Sequence, residues 1–208
     1  MTTKTYPVAF TDRRVLGTRA LLVACVLGHF GSPSAYAQAA GGDLPQEKQT
    51  TLGLYVDARE AYEIWKAAPD RVKILDVRTP EEYIFVGHAP MAVNIPAFLQ
   101  TYQWDRGRGH YAMKPNPDFL AQIRTTFTPE DKLYVMCRSG GRSAAAVNQL
   151  AAAGFKFVYN ITDGFEGDTV AEPGSLYHGK RMKNGWKNSG IPWTYVIDPD
   201  LMRLQKGR

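Results

Sequence analysis

The chain has 208 residues, of which 44% are hydrophobic and 22% are charged, and these values suit one soluble globular domain with a substantial core. Its formal net charge is +5, from 25 basic and 20 acidic residues. Four of the basic residues and one acid fall within the first 37 positions, so the remaining 21 basic and 19 acidic residues give only +2, which argues against a nucleic-acid-binding protein.

Residues 1–37 have the pattern of a secretory signal peptide. Three arginines precede the apolar run ALLVACVLGHF, and small residues then lead to an A-x-A site that ends at Ala37. The apolar run is about half as long as a membrane-spanning helix requires, so we expect no membrane span. We predict cleavage near Ala37 and a periplasmic or secreted protein. Two variants stay open: a twin-arginine signal, suggested by RRVLG, and lipidation of Cys25.

The cysteine count points to one unpaired thiol. Removal of the leader would take Cys25 with it and leave Cys137 as the only cysteine of the mature chain. Exported proteins normally pair their cysteines in disulfides, so a single one indicates a reactive thiol or an intermolecular bridge. One cysteine with scattered histidines has no zinc-ligand spacing. We therefore predict no metal site, and we predict no cofactor.

Helical and strand patterns alternate through residues 53–167. Capping signals at Asp57 and Thr79 predict two helix starts. Two further helical patterns are NPDFLAQIRTTF and SAAAVNQLAAAG, and the apolar runs VKILDV, MAVNIP, DKLYVMC and FKFVYNI are typical of buried strands. Strands that alternate with helices predict an α/β fold with a parallel sheet.

Three segments lie outside this alternation. Residues 38–52 are small and polar, and we predict a flexible linker there. Residues 101–117 are rich in glycine, proline and aromatic residues, and we predict a long connection of the kind that is functional or mobile. Residues 168–208 show no clear periodicity, and we expect this tail to pack over the domain as an extension.

The stretch CRSGGRS lies where a strand ends and a helix begins, the position at which α/β proteins place ligand sites. Gly140 and Gly141 permit a tight turn whose N–H groups, together with the helix N-terminus, can hold an anion. Arg138 and Arg142 add positive charge. These features favour a thiolate at Cys137, the nucleophilic form of cysteine. A buried structural cysteine is the alternative reading of the same residues.

Two long stretches resemble the rhodanese-like domain, the single-domain sulfurtransferase type: ILDVRTPEEYIFVGHAPMAVNIP and VMCRSGGRSAAAVNQLAAAGFKFVYNITDGFEG. The resemblance covers residues 53–167. It implies an α/β fold with a central, mainly parallel five-stranded sheet and helices on both faces. It also implies that Cys137 takes sulfane sulfur from a small anionic donor such as thiosulfate, forming a persulfide. A thiol, cyanide or a co-exported protein would accept the sulfur. The substrate-binding loop would comprise Arg138, Ser139, Gly140, Gly141, Arg142 and Ser143.

Two other family landmarks are interpreted as structural. Arg78, followed by Glu81 and Glu82, matches a pairing of arginine with an acid that supports the end of a strand. His88 in the sequence GHAP matches another landmark. The segment 101–117 and the tail lie outside the core that the family shares.

Other activities of similar loops stay open as alternatives. A persulfide carrier or interaction module with low intrinsic turnover is the main one. A phosphatase is disfavoured because related phosphatases place an arginine six positions after the cysteine, where this chain has Ser143, whereas Arg142 comes one position earlier. A disulfide oxidoreductase is disfavoured because no second cysteine in the mature chain could resolve a disulfide with Cys137.

Overall fold

The computed structural model describes residues 44–204. The signal peptide predicted for residues 1–37, its cleavage site, the export derived from it and Cys25 all lie outside the described residues. Within the described part of the chain, no helix combines the length and the apolar character needed to cross a bilayer.

A five-stranded parallel sheet forms the centre of the domain. In chain order the strands and helices are β1 (Tyr55–Val56), α1 (Ala58–Ala67), β2 (Val72–Asp76), α2 (Pro80–Val86), β3 (Val93–Asn94), β4 (Phe98–Asp105), β5 (His110–Pro115), α3 (Phe119–Thr126), β6 (Lys132–Met136), α4 (Gly141–Ala152) and β7 (Val158–Ile161). The sheet has the order β1-β7-β6-β2-β3, with parallel pairing between neighbours. The predicted α/β fold class is confirmed.

Alternating side chains along the strands build an apolar layer on each face of the sheet. On β6, Tyr134 and Met136 join the cluster that contains residues of α1 and α2. Leu133 and Val135 join the other cluster, which contains residues of α3 and α4. The strand is therefore covered by helices on both faces, which explains why it is apolar throughout rather than alternating.

The first two helices begin where the sequence predicts. The Asp57 carboxylate accepts a hydrogen bond from the Glu60 N–H at 2.8 Å. Thr79 and Glu82 form a complete capping box: Oγ1 of Thr79 accepts from the Glu82 N–H at 3.3 Å, and the Glu82 carboxylate accepts from the Thr79 N–H at 3.1 Å. These starts are encoded locally, since each cap lies three residues from its partner.

The segment 101–117, predicted as a long connection, consists largely of two strands. β4 and β5 pair in antiparallel fashion as a separate two-stranded sheet, called here the hairpin. Oδ1 of Asp105 accepts two backbone N–H bonds from its turn. Trp104 and Tyr111 pair across the strands, with ring centroids 5.2 Å apart. Such cross-strand contacts stabilise a hairpin without giving either strand a strong apolar period.

The described part of the predicted linker, residues 44–52, packs against the domain instead of extending away from it. A short 3-10 helix covers Gln46–Lys48. The Lys48 carbonyl accepts from Nδ2 of Asn160 at 3.0 Å, and its Nζ lies 2.8 Å from Oδ1 of Asp168. The flexible-linker prediction is therefore corrected for these residues. Polar and backbone contacts hold Lys48, and Leu52 packs against the apolar cluster on the α4 side of the sheet. The polar contacts leave no apolar pattern in the sequence.

The tail from residue 168 to residue 204 contributes to the core. Trp186 is fully buried in the apolar cluster on the α1 side of the sheet and meets Tyr62 edge to face, with ring centroids 5.9 Å apart. Ile191 and Met202 belong to the same cluster. The apolar layer on this face is thus completed by residues that come last in the chain.

Candidate functional site

Cys137 directly follows β6 and lies at the carboxyl end of the sheet. Its side chain is a free thiol and only 1% exposed. The sulfur accepts a hydrogen bond from the Gly140 N–H at 3.2 Å and lies 3.4 Å from Oγ of Ser143. The loop that follows the strand therefore turns back on itself and aims a backbone donor at Sγ.

Gly140 makes the tight turn of this loop. Its φ is +98°, in the left-handed region, and α4 begins at the next residue. A Cβ at this position would lie 2.2 Å from the Thr162 carbonyl oxygen, so a side chain cannot fit. Gly141 does not have positive φ, so only Gly140 of the two predicted turn glycines adopts the left-handed conformation. Ser143 lies inside the first turn of α4.

Ser143 and Asn160 form a buried polar pair beneath the loop. Oγ of Ser143 lies 2.6 Å from Oδ1 of Asn160. Nδ2 of Asn160 donates to the Gly140 carbonyl at 3.1 Å and to the Lys48 carbonyl at 3.0 Å. Because both amide hydrogens point at carbonyls, Oδ1 is left to accept the serine hydroxyl. Sequence reasoning missed Asn160. The available signal was a single polar residue in the strand VYNI, which must find partners when buried.

Arg142 lines the same cavity as Cys137 and is paired with Glu82. Its Nη1 lies 2.7 Å from Oε2 and its Nη2 2.6 Å from Oε1, a two-point pair with side chains only 20% and 16% exposed. Burial acts to raise the pKa of Glu82, but the hydrogen bonds and charge of Arg142 outweigh it and hold that pKa below its usual value. The positive charge predicted here is therefore largely neutralised.

Arg78 does not pair with Glu81 or Glu82, as the sequence suggested, but with Asp76. Both side chains are fully buried, and Nη2 of Arg78 lies 2.6 Å from Oδ2 of Asp76. The guanidinium also lies 4.0 Å from the centroid of the Phe165 ring. Glu82 is unavailable because it caps α2 and binds Arg142. The interpretation of Arg78 as structural support still fits, with a different partner.

His88 is likewise held within the fold. Its ring stacks on Tyr83, with centroids 3.8 Å apart, and Nδ1 lies 3.1 Å from the Tyr83 carbonyl oxygen. Burial lowers the pKa of His88, which favours the neutral imidazole. These contacts agree with the structural role expected for this residue.

Residues 164–167, called here the clasp, hold the loop from behind. The Phe165 N–H donates to the Cys137 carbonyl at 2.8 Å, and the Glu166 N–H donates to the Arg138 carbonyl at 2.9 Å. Gly164 has a φ of +63°, and a Cβ there would lie 2.5 Å from the Cys137 oxygen. The position of the thiol thus depends on close contact between two stretches of backbone.

Asp163 ties the clasp to α1 and to the tail. Its two carboxylate oxygens accept from the Ala58 N–H at 2.9 Å and from the Gly185 N–H at 2.8 Å. Burial raises the pKa of Asp163 to about 6, more than these donors lower it. One carboxylate therefore joins three separate segments while remaining costly to ionise.

We expect Asp163→Asn to change the dependence of stability on pH. The folded-state pKa lies above the unfolded value, so the contribution of Asp163 is fully present below about pH 4 and is lost as the pH rises through about 6. A shift of about two units corresponds to at most about 3 kcal/mol. The unfolding free energy of the wild type minus that of the variant should fall by up to this amount between about pH 4.5 and pH 7 in urea titrations.

The exposed Asp70, in the turn after α1, provides the matched control as Asp70→Asn. A difference between wild type and Asp163→Asn that stays constant over this range of pH would contradict the prediction.

A cavity of about 820 Å³ opens over Cys137. The loop forms one wall, lined by Cys137, Arg138, Ser139, Gly141 and Arg142. The other wall is the hairpin. The sequence indicated that this segment is functional or mobile but did not indicate where it lies in the fold. Of the predicted substrate-binding residues, Gly140 and Ser143 do not line the cavity but contact the sulfur atom directly.

Comparisons with known proteins point to one family. The model of the rhodanese-like domain matches residues 57–169. The chain is 43% identical over 93 residues to thiosulfate sulfurtransferase 16 of Arabidopsis thaliana, which covers 45% of this chain and 70% of that protein. It is 42% identical to thiosulfate sulfurtransferase 18 of the same plant, covering 44% of this chain and 62% of that protein.

The solved structures add a match to the fold. The crystal structure of Rv0390 from M. tuberculosis aligns with a TM-score of 0.53 and 29% identity, covering 68% of this chain and 96% of that chain. The alignment leaves about a third of this chain outside the shared fold.

Proposed function

The chain belongs to the rhodanese-like domain family, and its relatives support a sulfurtransferase-type function; we propose that it transfers sulfane sulfur through a persulfide on Cys137. The observation that carries the proposal is the position of Cys137, whose Sγ accepts a backbone N–H and which is one of the residues that line the cavity. A sulfur atom added to Sγ would have the cavity to occupy.

The donor step is a displacement at sulfur. The Cys137 thiolate attacks the outer sulfur of a donor such as thiosulfate, a new S–S bond forms, and the donor's S–S bond breaks. Sulfite leaves with the electron pair of that bond, so the step needs no external oxidant. The resulting persulfide is the covalent intermediate of a double-displacement reaction.

Arg138 is the cation best placed to attract the anionic donor. It is exposed, it lines the cavity, and it takes part in none of the ion pairs found among residues 44–204. Its charge also acts on the tail: burial lowers the pKa of Arg181, and the nearby charge of Arg138 lowers it further. Arg142, already paired with Glu82, is the weaker candidate for donor binding.

Intact-mass analysis after treatment with thiosulfate tests the proposal. We expect the mass to rise by about 32 Da, one sulfur atom, and to return to its starting value when cyanide is added. Cys137→Ala should show no added mass, whereas Thr125→Ala, at an exposed position of α3 outside the cavity, should still show it. The absence of any adduct, or an adduct on Cys137→Ala, would overturn the proposal. The intact mass of the untreated protein also shows whether residues 1–37 have been removed.

A further inference from the structure

We propose that the hairpin binds the organic part of the sulfur acceptor, and that this acceptor is a small organic thiol carrying a negative charge. The inference rests on the proposed sulfurtransferase function and specifies the class of its second substrate. It concerns the wall of the cavity opposite Cys137, which the donor step does not use.

The volume of the cavity is the first argument. Its size of about 820 Å³ falls within the range of roughly 300–1,000 Å³ that is typical of pockets for organic ligands. Thiosulfate or cyanide would occupy only a small part of it beside the sulfur. The remaining space lies between the loop and the hairpin, so a substrate that fills it must be larger than either of these ions.

The charge of the lining is the second argument. Arg138 on the loop and Arg108 on the hairpin both line the cavity, and no aspartate or glutamate does. Arg108 approaches Asp105 only at 3.8 Å, with a side chain that is 77% exposed, so this contact neutralises it weakly. A carboxylate or sulfonate on the acceptor would therefore find a cation on each wall, whereas a positively charged thiol would be repelled.

Aromatic side chains on the hairpin are the third argument. Phe98, Tyr102 and Tyr111 line the cavity. Tyr102 is 90% exposed and Tyr111 is 52% exposed, so both have ring surface that an organic molecule can cover. Covering apolar surface contributes about 25 cal/mol for each Å² removed from water. The hairpin wall thus offers apolar contact in addition to its cation.

The acceptor step follows from this placement. The thiolate of the acceptor attacks the outer sulfur of the Cys137 persulfide, and a new S–S bond forms on the acceptor. The S–S bond to Sγ breaks and its electron pair returns to Cys137 as a thiolate. The donor step leaves the outer sulfur of the persulfide as an anion, which takes a proton from water before the attack. That proton stays with the transferred sulfur, so the products are an organic persulfide and the starting enzyme, and no oxidant is consumed.

A single-turnover experiment isolates this step. The full chain is loaded with sulfur from thiosulfate, freed of excess donor, and mixed with 3-mercaptopropionate, 2-mercaptoethanol or cyanide, and the loss of about 32 Da is followed with time. Rates for the two thiols are compared at equal concentrations of thiolate. We expect the anionic thiol to react faster than the neutral one, because only the anionic thiol carries, besides its reacting sulfur, a carboxylate that the arginines of the cavity can bind.

Arg108→Gln tests the hairpin, and Arg106→Gln is its matched control. Arg106 lies in the same turn and carries the same charge but does not line the cavity. Arg108→Gln should slow transfer to 3-mercaptopropionate about tenfold, the effect of losing one hydrogen bond to a charged group. Transfer to cyanide and to 2-mercaptoethanol should be unchanged, and Arg106→Gln should leave all three rates near those of the wild type.

Three outcomes would overturn the inference without affecting the proposed function: no preference for the anionic thiol, an equal loss in both arginine variants, or uniformly slow transfer to all small thiols beside fast transfer to a protein thiol. The last outcome would assign the hairpin to a protein acceptor. Failure to load Cys137 at all would instead contradict the proposed function.

Discussion

Gly164→Ala is expected to destabilise the protein by about 2–5 kcal/mol and to displace the loop that carries Cys137. An alanine at a φ of +63° costs about 1–2 kcal/mol through its backbone alone. The new methyl group would also lie 2.5 Å from the Cys137 oxygen and 2.7 Å from the Ser139 nitrogen. Overpacking of this kind typically adds about 1–3 kcal/mol, and here it pushes directly on the residue that accepts sulfur.

Gly53→Ala separates the two contributions. Gly53 has the same φ of +63°, but a Cβ there would meet no atom within 4 Å. We expect this control to lose only the backbone part of the stability in urea unfolding and to form the Cys137 adduct as the wild type does. Gly164→Ala should be less stable than the control and should load sulfur more slowly. Equal stability and equal loading in the two variants would show that the clasp does not position the thiol.

Arg78→Met is expected to lower the unfolding free energy by about 3–5 kcal/mol. The substitution leaves the Asp76 carboxylate fully buried without the guanidinium that lies 2.6 Å from it. Stacking on Phe165 and the hydrogen bond from Nη2 to the Gly87 carbonyl are lost as well. Arg108→Met, which removes one member of an exposed pair, should cost at most about 1 kcal/mol.

The double variant Asp76→Asn with Arg78→Met shows whether the unpaired charge causes the loss. Removing both charges should recover part of the stability, because the cost of breaking a buried pair comes mainly from the charge left behind. Urea titrations of the two single variants and the double variant complete the cycle. A loss below about 1 kcal/mol in Arg78→Met, or additive losses in the double variant, would contradict this account.

Local features of the domain could be predicted from the sequence, because the residues that determine them are close in the chain. The caps at Asp57 and Thr79 each involve a partner three residues away. Cys137 could be placed at the junction of a strand and a helix for the same reason, since β6 and α4 flank it directly. Gly140 and Gly141 predicted a turn after it, although only Gly140 has positive φ.

The polar partners of the site could not be predicted, because they are set by strand order and packing. Glu82 binds Arg142 across 60 positions, and Asn160 binds the Lys48 carbonyl across 112. No periodicity marks such pairs in advance. The sequence pattern assigned Glu82 to the nearby Arg78, whereas the fold brings Asp76 closer to that arginine. The hairpin escaped prediction since its stability comes from pairing between two strands that are each only partly apolar.

The packing of residues 44–52 has a consequence for the order in which the protein folds. The ion pair of Lys48 with Asp168 spans 120 positions, so it cannot form before the chain has been made as far as Asp168. Closing so large a loop costs entropy before any contact offsets it. The clasp behind Cys137 likewise depends on residues that are made after it, because Gly185 donates to the Asp163 carboxylate and Trp186 donates to the Gly164 carbonyl.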